Sequence, residues 1–347
     1  MTKKSVSDLV EFIAKILTNV GLSAADADVV AQLMAEADAR GADGHGIFRL
    51  PQYVKRIQSA GVNVRPNIRI IQDHPATALL DGDNAMGHLV MRRAAEIAIE
   101  KAKTAGVAWV GARSSNHAGP ASLYARMPLA HDMLGLYIAV GSANHLPPWG
   151  GIAMLLSTNP IAIAVPGAQG REMMLDMATT NAAYGKVKIK AQRGETMPEG
   201  WMMDRQGKPL TDPKRADEGF LLPIGGPKGY GLALMFGLLA GTLNGAAFGK
   251  DVVDFNRDFS TLTNTGHLIV AVNIAAFADV STFKARVGEI WELMKSSPLL
   301  PGFDEIRLPG ERSAKIYADR TSSGVPITPE LQSTLDQLAD RLNIERL

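Results

Sequence analysis

The 347-residue sequence contains no cysteine, which excludes disulfide bonds, thiolate nucleophiles, iron–sulfur clusters and cysteine-ligated zinc sites. Aromatic residues make up only 6% of the chain, and neither sign of charge prevails, because 36 Lys and Arg oppose 35 Asp and Glu. A near-neutral chain argues against a partner bound through bulk charge, such as nucleic acid. No apolar run reaches about 18 residues, and no apolar signal core follows the first residues. We therefore expect a cytoplasmic protein without nucleic-acid or membrane partners, whose chemistry relies on polar side chains or a bound cofactor.

Glycine, in contrast, is abundant. The chain has 34 Gly, where average usage of roughly 7% would give about 24. With 46% hydrophobic residues the chain can bury a large core, and at roughly 150 residues per domain its length predicts two domains. The surplus of glycine indicates several places where the backbone turns tightly or comes close to another group.

Hydrophobic periodicity predicts helices and short strands along most of the chain. Helices are predicted at residues 5–20, 24–41, 47–59, 88–103, 230–242, 282–295 and 329–342. Strands are predicted at residues 68–71, 76–80, 107–110, 134–140, 161–165, 173–175 and 268–273. Residues 190–222 are polar and rich in turn-forming residues, with a hairpin tip at 204–207.

The common catalytic and nucleotide-binding motifs are absent from the sequence. No Gly-x-Gly-x-x-Gly follows a strand, and Gly249-Lys250 precedes Asp251 rather than Ser or Thr, which excludes a P-loop. His-Glu-x-x-His and Gly-x-Ser-x-Gly are missing too. Candidate functional residues must therefore be sought in polar clusters within Gly-rich turns, where binding residues are common.

The first such cluster contains His45, Arg49 and Tyr53, which lie one turn apart if the segment is helical. Arg suits a carboxylate, because its planar fork can donate two parallel hydrogen bonds, and His titrates near neutral pH. The spacing therefore predicts a proton donor beside a carboxylate clamp. The alternative is a capped surface helix with a solvated Arg.

The second cluster, residues 113–119, follows the predicted strand that ends at Val110 and contains His117. A polar loop at the end of a strand is a common location for a ligand-binding site. The alternative is a loop in which Ser115 or Asn116 caps the next helix. Of the other histidines, His145 is left undecided, and four are expected to be turn, cap or surface residues, namely His74, His88, His131 and His267.

Three further polar clusters follow along the chain, and the first of them consists of two segments. Residues 157–160 and 176–180 lie at strand edges, where amides and hydroxyls suit a ribose or a phosphate. Lys228 stands in a Gly-rich segment before an apolar helix, and a helix N-terminus with a Lys attracts anions. The third cluster is a charged turn at residues 307–312. For the Lys228 segment the alternative is a tight loop with a solvated Lys.

Taken in order, these segments resemble the malate/L-lactate dehydrogenase family that lacks a Rossmann fold. The resemblance covers nearly the whole chain and rests on these motifs: His45-Gly46-x-x-Arg49 with Tyr53, Asn116-His117-x-Gly119, Thr158-Asn159-Pro160, Asp176-Met177-Ala178-Thr179, Gly185-Lys186, Lys228-Gly229-Tyr230-Gly231-Leu232, Asn264-x-Gly266-His267 and Leu308-Pro309-Gly310-Glu311-Arg312. It implies a mixed α/β (α+β) fold and a homodimer. The implied NAD(P)-binding domain is of the non-Rossmann type, with a largely antiparallel sheet, and spans residues 116–295. A substrate and dimerisation domain would be built from both chain ends, residues 1–115 and 296–347.

The resemblance also implies roles for individual residues. His45 would be the acid/base group, His117 a second active-site imidazole and an alternative proton donor, and Tyr53 a further catalytic residue. Arg49 would clamp the substrate carboxylate, with Thr158 and Asn159 as further substrate contacts. The implied cofactor contacts are His117, Ala118, Gly119, Pro120, Ala121, Asp176, Met177, Ala178, Lys228, Gly229, Pro309, Gly310, Glu311 and Arg312. No metal is implied.

The implied activity is the NAD(P)-dependent interconversion of a small 2-hydroxy acid and a 2-oxo acid. Reduction of a cyclic imino acid is an alternative, disfavoured because Lys186 stands where the imine reductases have Asp. Many family members have Ser where this chain has Gly44, which slightly favours a third reading, a non-catalytic small-ligand binder. The choice between NAD and NADP stays open, since Lys186, Lys188 and Arg193 could contact a 2′-phosphate or be solvated.

Overall fold

The computed structural model of the protein describes residues 2–347, apart from the side chains of residues 169 and 192. The α-helices within this range are α1 (Val6–Asn19), α2 (Ala24–Ala39), α3 (Leu50–Gln58), α4 (Gly87–Ala105), α5 (Ser122–Ala125), α6 (Tyr184–Arg193), α7 (Pro227–Ala240), α8 (Val280–Lys295), α9 (Glu311–Ser323) and α10 (Pro329–Leu342). The strands are β1 (Thr2–Lys4), β2 (Arg69–Asp73), β3 (Thr77–Asp81), β4 (Val107–Ser115), β5 (Met133–Ala139), β6 (Asn144–Leu146), β7 (Leu156–Ser157), β8 (Ile161–Val165), β9 (Met173–Met177), β10 (Met202–Asp204), β11 (Pro209–Leu210), β12 (Gly219–Leu221), β13 (Thr265–Asn273) and β14 (Val325–Ile327).

A seven-stranded sheet in the order β2-β3-β4-β13-β5-β8-β9 forms the centre of the molecule. Every neighbouring pair is antiparallel except β3 and β4, which run parallel. Side chains of β13 alternate between two apolar layers, since Ile269 and Ala271 share a core with α4, whereas Leu268 and Val270 share one with α7. The sheet is thus covered by helices on both faces. The predicted mixed α/β fold with a largely antiparallel sheet is confirmed.

The two chain ends meet in a separate apolar core. Strands β1 and β14 pair antiparallel, and helices α1, α2, α3 and α10 pack around residues such as Leu9, Ile13 and Leu335, which are fully buried. Helix α1 begins at a capping box between Ser5 and Asp8. Helices α1, α2, α3 and α10, called the helical unit of the chain ends below, share this one apolar core. The segment with His45 belongs to this unit, since Ile47 is part of the same core.

A third, smaller cluster positions helix α6. Strands β10, β11 and β12 form a three-stranded sheet, and Val187 of α6 packs with Met202 and Leu221 of this sheet. The sequence did not predict α6, because its composition is polar and, among its described side chains, only Val187 is buried. The equally polar helix α9, which has no buried residue, was missed for the same reason.

Most of the predicted elements are confirmed, with differences at their ends. The predicted helix 47–59 divides into a 3₁₀ turn, Ile47–Arg49, followed by α3, which has Pro51 in its first turn. Strand β4 continues to Ser115 instead of ending at Val110, so residues 113–115 belong to the sheet and not to a loop. Pairing with β13 on one side and β3 on the other extends this strand past its apolar stretch.

The location of β2, β3 and β4 bears on the domain division. These strands lie in residues 69–115, yet they belong to the same sheet as β5, β8, β9 and β13. The predicted boundary after residue 115 therefore falls within this sheet. Among residues 2–347, no helix is long and apolar enough to cross a membrane.

Candidate active site

A tight turn places His45 at the start of the candidate site. The carboxylate of Asp38, at the end of α2, accepts a hydrogen bond from the backbone N–H of Ile47 at 2.7 Å. A Cβ on Gly46 would lie only 2.1 Å from this carboxyl group, so glycine is required at that position. Burial raises the pKa of Asp38 to about 8, while the Ile47 hydrogen bond opposes the shift. The turn that carries His45 therefore depends on a buried carboxyl group.

His45, His117 and Tyr53 converge, as their predicted roles require. The imidazole rings of His45 and His117 stack with centroids 5.4 Å apart and an interplanar angle of 6°. The hydroxyl of Tyr53 lies 2.6 Å from Nδ1 of His117. His45 reaches this place from the turn, not from a helix, so helical spacing accounts only for Arg49 and Tyr53. The first cluster and His117 thus form one site.

The surroundings of His117 define its proton positions. Its Nδ1 faces two donors, the Tyr53 hydroxyl at 2.6 Å and the backbone N–H of Gly119 at 3.4 Å. An acceptor at Nδ1 leaves the proton of the neutral ring on Nε2. Burial, followed by the neighbouring His45 and Arg49, lowers the pKa of His117 well below its usual value. Burial and Arg49 likewise lower the pKa of His45 to about 4. Both rings are therefore neutral at pH 7.

Arg49 is a buried cation without a carboxylate partner. Its side chain donates to the Gly44 carbonyl at 2.8 Å, to Gln52 Oε1 at 2.8 Å and to Asn256 Oδ1 at 3.4 Å. The residue is only 8% exposed, and among residues 2–347 no Asp or Glu forms an ion pair with it. The guanidinium carbon lies 5.3 Å from the ring centroid of Phe255. An unpaired buried charge is costly, so this site favours an incoming anion.

Two histidines that were expected to be turn, cap or surface residues are buried beside the site, and that expectation was wrong. His88 in α4 is fully buried, packs edge-on to the ring of Tyr53 with centroids 5.6 Å apart, and neither ring nitrogen has a partner among the described residues. His267 in β13 contacts Tyr137 Oη at 2.7 Å. Burial lowers the pKa of His88 to about 3 and that of His267 to about 4. No local signal indicated the burial of either residue, because the packing of α4 and β13 decides it.

The alternative for the second cluster was that Ser115 or Asn116 caps the next helix. Asn116 does not cap a helix in the structure. Its side-chain amide is buried and donates to Asn84 Oδ1 and to the carbonyl of Ala85, both at 2.9 Å. Helix α5 begins after Ala121 with no side-chain cap. Asn116 thus fixes the chain just before His117.

Four of the predicted cofactor residues line one cleft. Pro120, Asp176, Gly310 and Arg312 surround a cavity of about 270 Å³ at the end of strand β9. The Asp176 carboxylate accepts the backbone N–H of Ser122 at 2.9 Å, which ties the loop after His117 to β9. Exposed carboxylate and guanidinium groups in one cleft suit a ligand that carries both hydroxyls and phosphates.

The turn before α9 is fastened to the same strand. The carbonyl of Pro309 accepts the N–H of Met174 at 3.0 Å. Gly310 has a φ of +97°, and a Cβ there would lie 3.0 Å from Met174, so another residue would be strained. Glu311 is engaged within the protein, since it pairs with Lys295 at 2.6 Å and accepts the N–H of Leu308 at 2.6 Å.

The remaining predicted contacts do not line this cleft. Ala118 and Ala121 are buried residues, with 3% and 2% of their surface exposed. Met177 ends β9, and Ala178 follows it. Lys228 is exposed and Gly229 is buried in the first turn of α7.

A hydrogen-bond chain links the Lys228 loop to the strand edges. The N–H of Ile224 donates to the carbonyl of Thr179 at 3.0 Å, and the N–H of Thr179 donates to the carbonyl of Thr158 at 2.9 Å. Asn159 is fully buried, and its side-chain amide bonds to the backbone of Gly141 and Ala233. In this structure Asn159 connects α7 to the sheet.

Phe255, Asn256 and Lys188 complete the surroundings of Arg49. The ring of Phe255 stacks on His117 with centroids 4.8 Å apart. Lys188 Nζ donates to Asn256 Oδ1 at 2.9 Å, which places it beside Arg49 rather than in the cleft lined by Asp176. Phe255 and Asn256 lie in a loop without periodicity, and the sequence offers there only the polar neighbours of Phe255 in residues 254–258. Among the described residues, no group of three or more His, Asp or Glu is arranged to hold a metal ion.

Comparison with known proteins gives a consistent result. The family model described as malate/L-lactate dehydrogenase matches residues 5–336. The chain is 37% identical to a malate dehydrogenase of Pyrococcus abyssi, over 98% of this chain and 95% of that protein. It is 32% identical to a Δ1-pyrroline-2-carboxylate/Δ1-piperideine-2-carboxylate reductase of Pseudomonas putida, over 96% and 95%.

Among solved structures, the sulfolactate dehydrogenase of Methanocaldococcus jannaschii superposes with a TM-score of 0.91 at 36% identity, covering 99% of this chain and 98% of that one. Sequence similarity and the fold of these relatives therefore extend over nearly the whole chain. The protein belongs to the malate/L-lactate dehydrogenase family.

Proposed function

We propose that the protein is a NAD(P)-dependent 2-hydroxyacid dehydrogenase that interconverts a small 2-hydroxy acid and the corresponding 2-oxo acid. One observation carries the proposal: the guanidinium of Arg49 is almost fully buried without a carboxylate partner, next to the stacked rings of His45 and His117. A substrate carboxylate would supply the missing counter-ion. Its 2-carbon would then lie within the reach of an imidazole.

Arg49 would bind and orient the substrate. Two parallel hydrogen bonds from a guanidinium fix the plane of a carboxylate, and this decides which face of the adjacent carbon is presented for hydride transfer. Gln52 supports the clamp, because its Oε1 accepts from Arg49 at 2.8 Å while its Nε2 donates to the Phe255 carbonyl at 2.8 Å. The guanidinium is thereby held in place before substrate arrives.

An imidazole would move the proton. In the oxidation direction the neutral ring of His45 accepts the proton of the 2-hydroxyl group, and in the reduction direction the imidazolium returns it. His117, whose Nδ1 accepts from Tyr53, would instead donate a hydrogen bond from Nε2 to the substrate oxygen. The pKa of His45, lowered to about 4 by burial and Arg49, keeps the ring unprotonated and able to accept a proton at neutral pH. An anionic substrate bound at Arg49 offsets the positive charge that lowers this pKa. The pKa of His45 then rises, and the ring accepts the proton more readily.

The nicotinamide cofactor supplies or accepts the hydride when it is bound. The cleft lined by Pro120, Asp176, Gly310 and Arg312 fits such a group by its chemistry. The Asp176 carboxylate would accept hydrogen bonds from ribose hydroxyls, and Arg312 would attract phosphate. Lys228, in the first turn of α7, would add a positive charge at a helix N-terminus. Both NAD and NADP remain candidates.

The helical unit of the chain ends would provide the residues that bind the substrate, since His45, Arg49 and Tyr53 lie on it. The central sheet would provide His117 and the cofactor site.

We also propose a homodimer. Its support is the exposed apolar surface of α7 and the turn after it, where Leu232, Met235 and Leu243 are 39%, 50% and 62% exposed.

Steady-state oxidation of NADH and of NADPH with a panel of 2-oxo acids tests the proposal. We expect turnover with at least one 2-oxo acid and a clear preference for one cofactor. Turnover restricted to a cyclic imino acid such as Δ1-piperideine-2-carboxylate would replace this function with imine reduction. Binding of NADH without turnover of any substrate would identify a non-catalytic binder.

A further inference from the structure

The first turn of helix α4 packs directly against the backbone that carries His117. A Cβ on Gly87 would lie only 2.1 Å from the carbonyl oxygen of Asn116 and 2.7 Å from that of His117, so the helix approaches this backbone as closely as glycine allows. The side chain of Asn116 also donates to the carbonyl of Ala85, just before the helix, at 2.9 Å. The place of the next residue, His88, is therefore fixed relative to His117.

From this place the ring of His88 lies against both groups that donate to Nδ1 of His117. It packs on the ring of Tyr53, with centroids 5.6 Å apart and an interplanar angle of 86°. It also fills the space beside Gly119, where a Cβ would lie 3.2 Å from Nε2 of His88. The Tyr53 hydroxyl and the Gly119 backbone N–H face Nδ1 of His117 at 2.6 and 3.4 Å. One buried side chain thus lies behind both donors.

His88 acts through its volume and shape rather than through charge or hydrogen bonding. The residue is fully buried, and in the described part of the chain neither ring nitrogen has a hydrogen-bond partner. Burial, and then the neighbouring His45 and His267, lower its pKa to about 3, so the ring is neutral at pH 7. The ring therefore serves as a neutral support where Tyr53 and Gly119 meet.

A small displacement of Tyr53 is enough to break its bond to His117. A hydroxyl-to-nitrogen distance of 2.6 Å passes the limit of a hydrogen bond after a shift of roughly 1 Å. Truncation of the buried His88 ring would permit such a shift, because neighbouring groups relax into the cavity that is left. Nδ1 of His117 would then lose the donor that keeps it unprotonated, and the proton would distribute over both nitrogens.

We propose that His88 is a positioning residue that fixes the tautomer of His117. It holds the Tyr53 hydroxyl and the Gly119 N–H against Nδ1, so that the proton of the neutral imidazole stays on Nε2. The inference rests on the proposed dehydrogenase function, in which the Nε2–H group of His117 donates a hydrogen bond to the substrate oxygen. The other tautomer would present an unprotonated nitrogen, which repels that oxygen instead of binding it.

The first measurement reads the tautomer itself. Nitrogen NMR of protein that contains isotope-labelled histidine distinguishes an imidazole protonated on Nε2 from one protonated on Nδ1, and His117→Asn identifies the signals of this ring. Wild type should show His117 with its proton on Nε2 alone. His88→Ala should show both tautomers of His117.

The second measurement is the rate of hydride transfer in a single turnover with saturating cofactor and a 2-oxo acid. His88→Ala should lower this rate about tenfold, the equivalent of one lost hydrogen bond. In the Tyr53→Phe background, which already lacks the hydroxyl, His88→Ala should change the rate by less than about threefold, because residues that act through one group are not additive. A side chain that only fills the core would give losses that multiply.

Two further variants separate the ring from general damage to the fold. His88→Gln keeps most of the volume and the neutral charge, so its rate should stay within about threefold of wild type. His131→Ala removes an exposed imidazole and should leave the rate and the His117 tautomer unchanged. If His88→Ala does not fold, His88→Asn takes its place, since it removes Nε2, the atom beside Gly119, with a smaller loss of volume.

A His88→Ala protein in which His117 keeps its proton on Nε2 alone would overturn the assignment, as would a tenfold loss that persists in the Tyr53→Phe background. Turnover of no 2-oxo acid by wild type would instead overturn the dehydrogenase function, and the NMR comparison would still decide whether His88 sets the tautomer.

Discussion

The hydroxyl of Tyr53 in α3 lies 2.6 Å from Nδ1 of His117, which follows strand β4. Burial raises the pKa of the Tyr53 phenol, so the group is protonated and donates to the ring. The bond holds the imidazole with its Nε2 proton outward, and it joins the helical unit of the chain ends to the central sheet. It therefore sets both the tautomer of His117 and the distance between the two halves of the site.

Replacing Tyr53 by Phe should lower kcat by about tenfold, the equivalent of one lost hydrogen bond. The ring packing is kept, so the melting temperature should change little. Stopped-flow measurement of NADH oxidation gives the rate of the chemical step. A variant with full activity would contradict the role of this bond in holding His117.

Separate substitution of His45 and His117 by Asn should identify the proton-transferring group. Loss of a general acid or base typically costs 10²- to 10⁴-fold in the chemical step. The larger loss in single-turnover hydride transfer marks the proton donor, and we expect the other variant to be affected mainly through lost stacking. Equal small losses in both variants would exclude both rings as the proton donor.

Arg49→Gln should raise the KM of the 2-oxo acid and lower kcat, with a combined loss of roughly 1.5–3 kcal/mol in transition-state stabilisation. NADH affinity should stay nearly unchanged, because Arg49 lies beside Asn256 and away from Asp176. The matched control is Arg65→Gln, which removes an exposed guanidinium. Loss of NADH binding in the Arg49 variant would mean that the clamp has been assigned to the wrong ligand.

The two glycines that flank His45 should respond differently to alanine. Around a Cβ at Gly44 no atom lies within 4 Å, whereas a Cβ at Gly46 would overlap the Asp38 carboxyl group. Gly46→Ala should therefore destabilise the protein by about 1–3 kcal/mol and displace His45, and Gly44→Ala should stay within about 0.5 kcal/mol of wild type. Thermal unfolding of the two variants measures this difference in stability. Equal stability of Gly46→Ala and Gly44→Ala would show that the turn can shift to accept a Cβ.

Asp38 should make the protein less stable as pH rises towards 8. Its pKa is about 8 in the folded state against an ordinary 3.8, so above pH 4 the unfolded chain releases a proton that the folded chain retains. The stabilisation is complete below pH 4 and falls by about 1.4 kcal/mol per pH unit until the folded pKa is passed. Asp38→Asn keeps an oxygen for the Ile47 N–H and should remove this dependence.

Buried histidines act in the opposite direction. The pKa values of His45, His88 and His267 are about 4, 3 and 4 in the folded state, below the usual 6.5. Their contribution to the free energy of unfolding is therefore complete above pH 6.5 and is lost as the pH falls. Stability should therefore be greatest near pH 6.5. Urea unfolding of wild type and Asp38→Asn between pH 5 and 8 checks both slopes. Parallel curves above pH 6.5 would show that Asp38 is already ionised there.

Local signals were read well from the sequence. Apolar periodicity located helices such as α1 and α4, because that pattern depends only on residues within a few turns of each other. Residue types in Gly-rich turns marked His45, Arg49 and His117. Elements with few buried residues, such as α6 and α9, left no periodic pattern and were missed.

Burial was read less well. His88 lies in the first turn of α4 and looks like a helix-end residue in the sequence, yet the loop after Asn116 covers it completely. The burial of Asn159 could not be predicted either. Its side-chain amide forms hydrogen bonds with the backbone of Gly141 and Ala233, which belong to two other segments. Such outcomes depend on which elements pack together, and neighbouring residues do not encode that.

The sequence by itself determined the kinds of groups available: no thiol, a neutral overall charge, and His, Arg and Tyr at turn spacing. Only the tertiary structure decided which groups meet. Tyr53 and His117 are 64 residues apart, Lys188 and Asn256 are 68 apart, and Arg49 and Asn256 are 207 apart. Contacts over such separations form because the apolar cores around the sheet and the chain ends pack together, and that packing is a property of the whole chain.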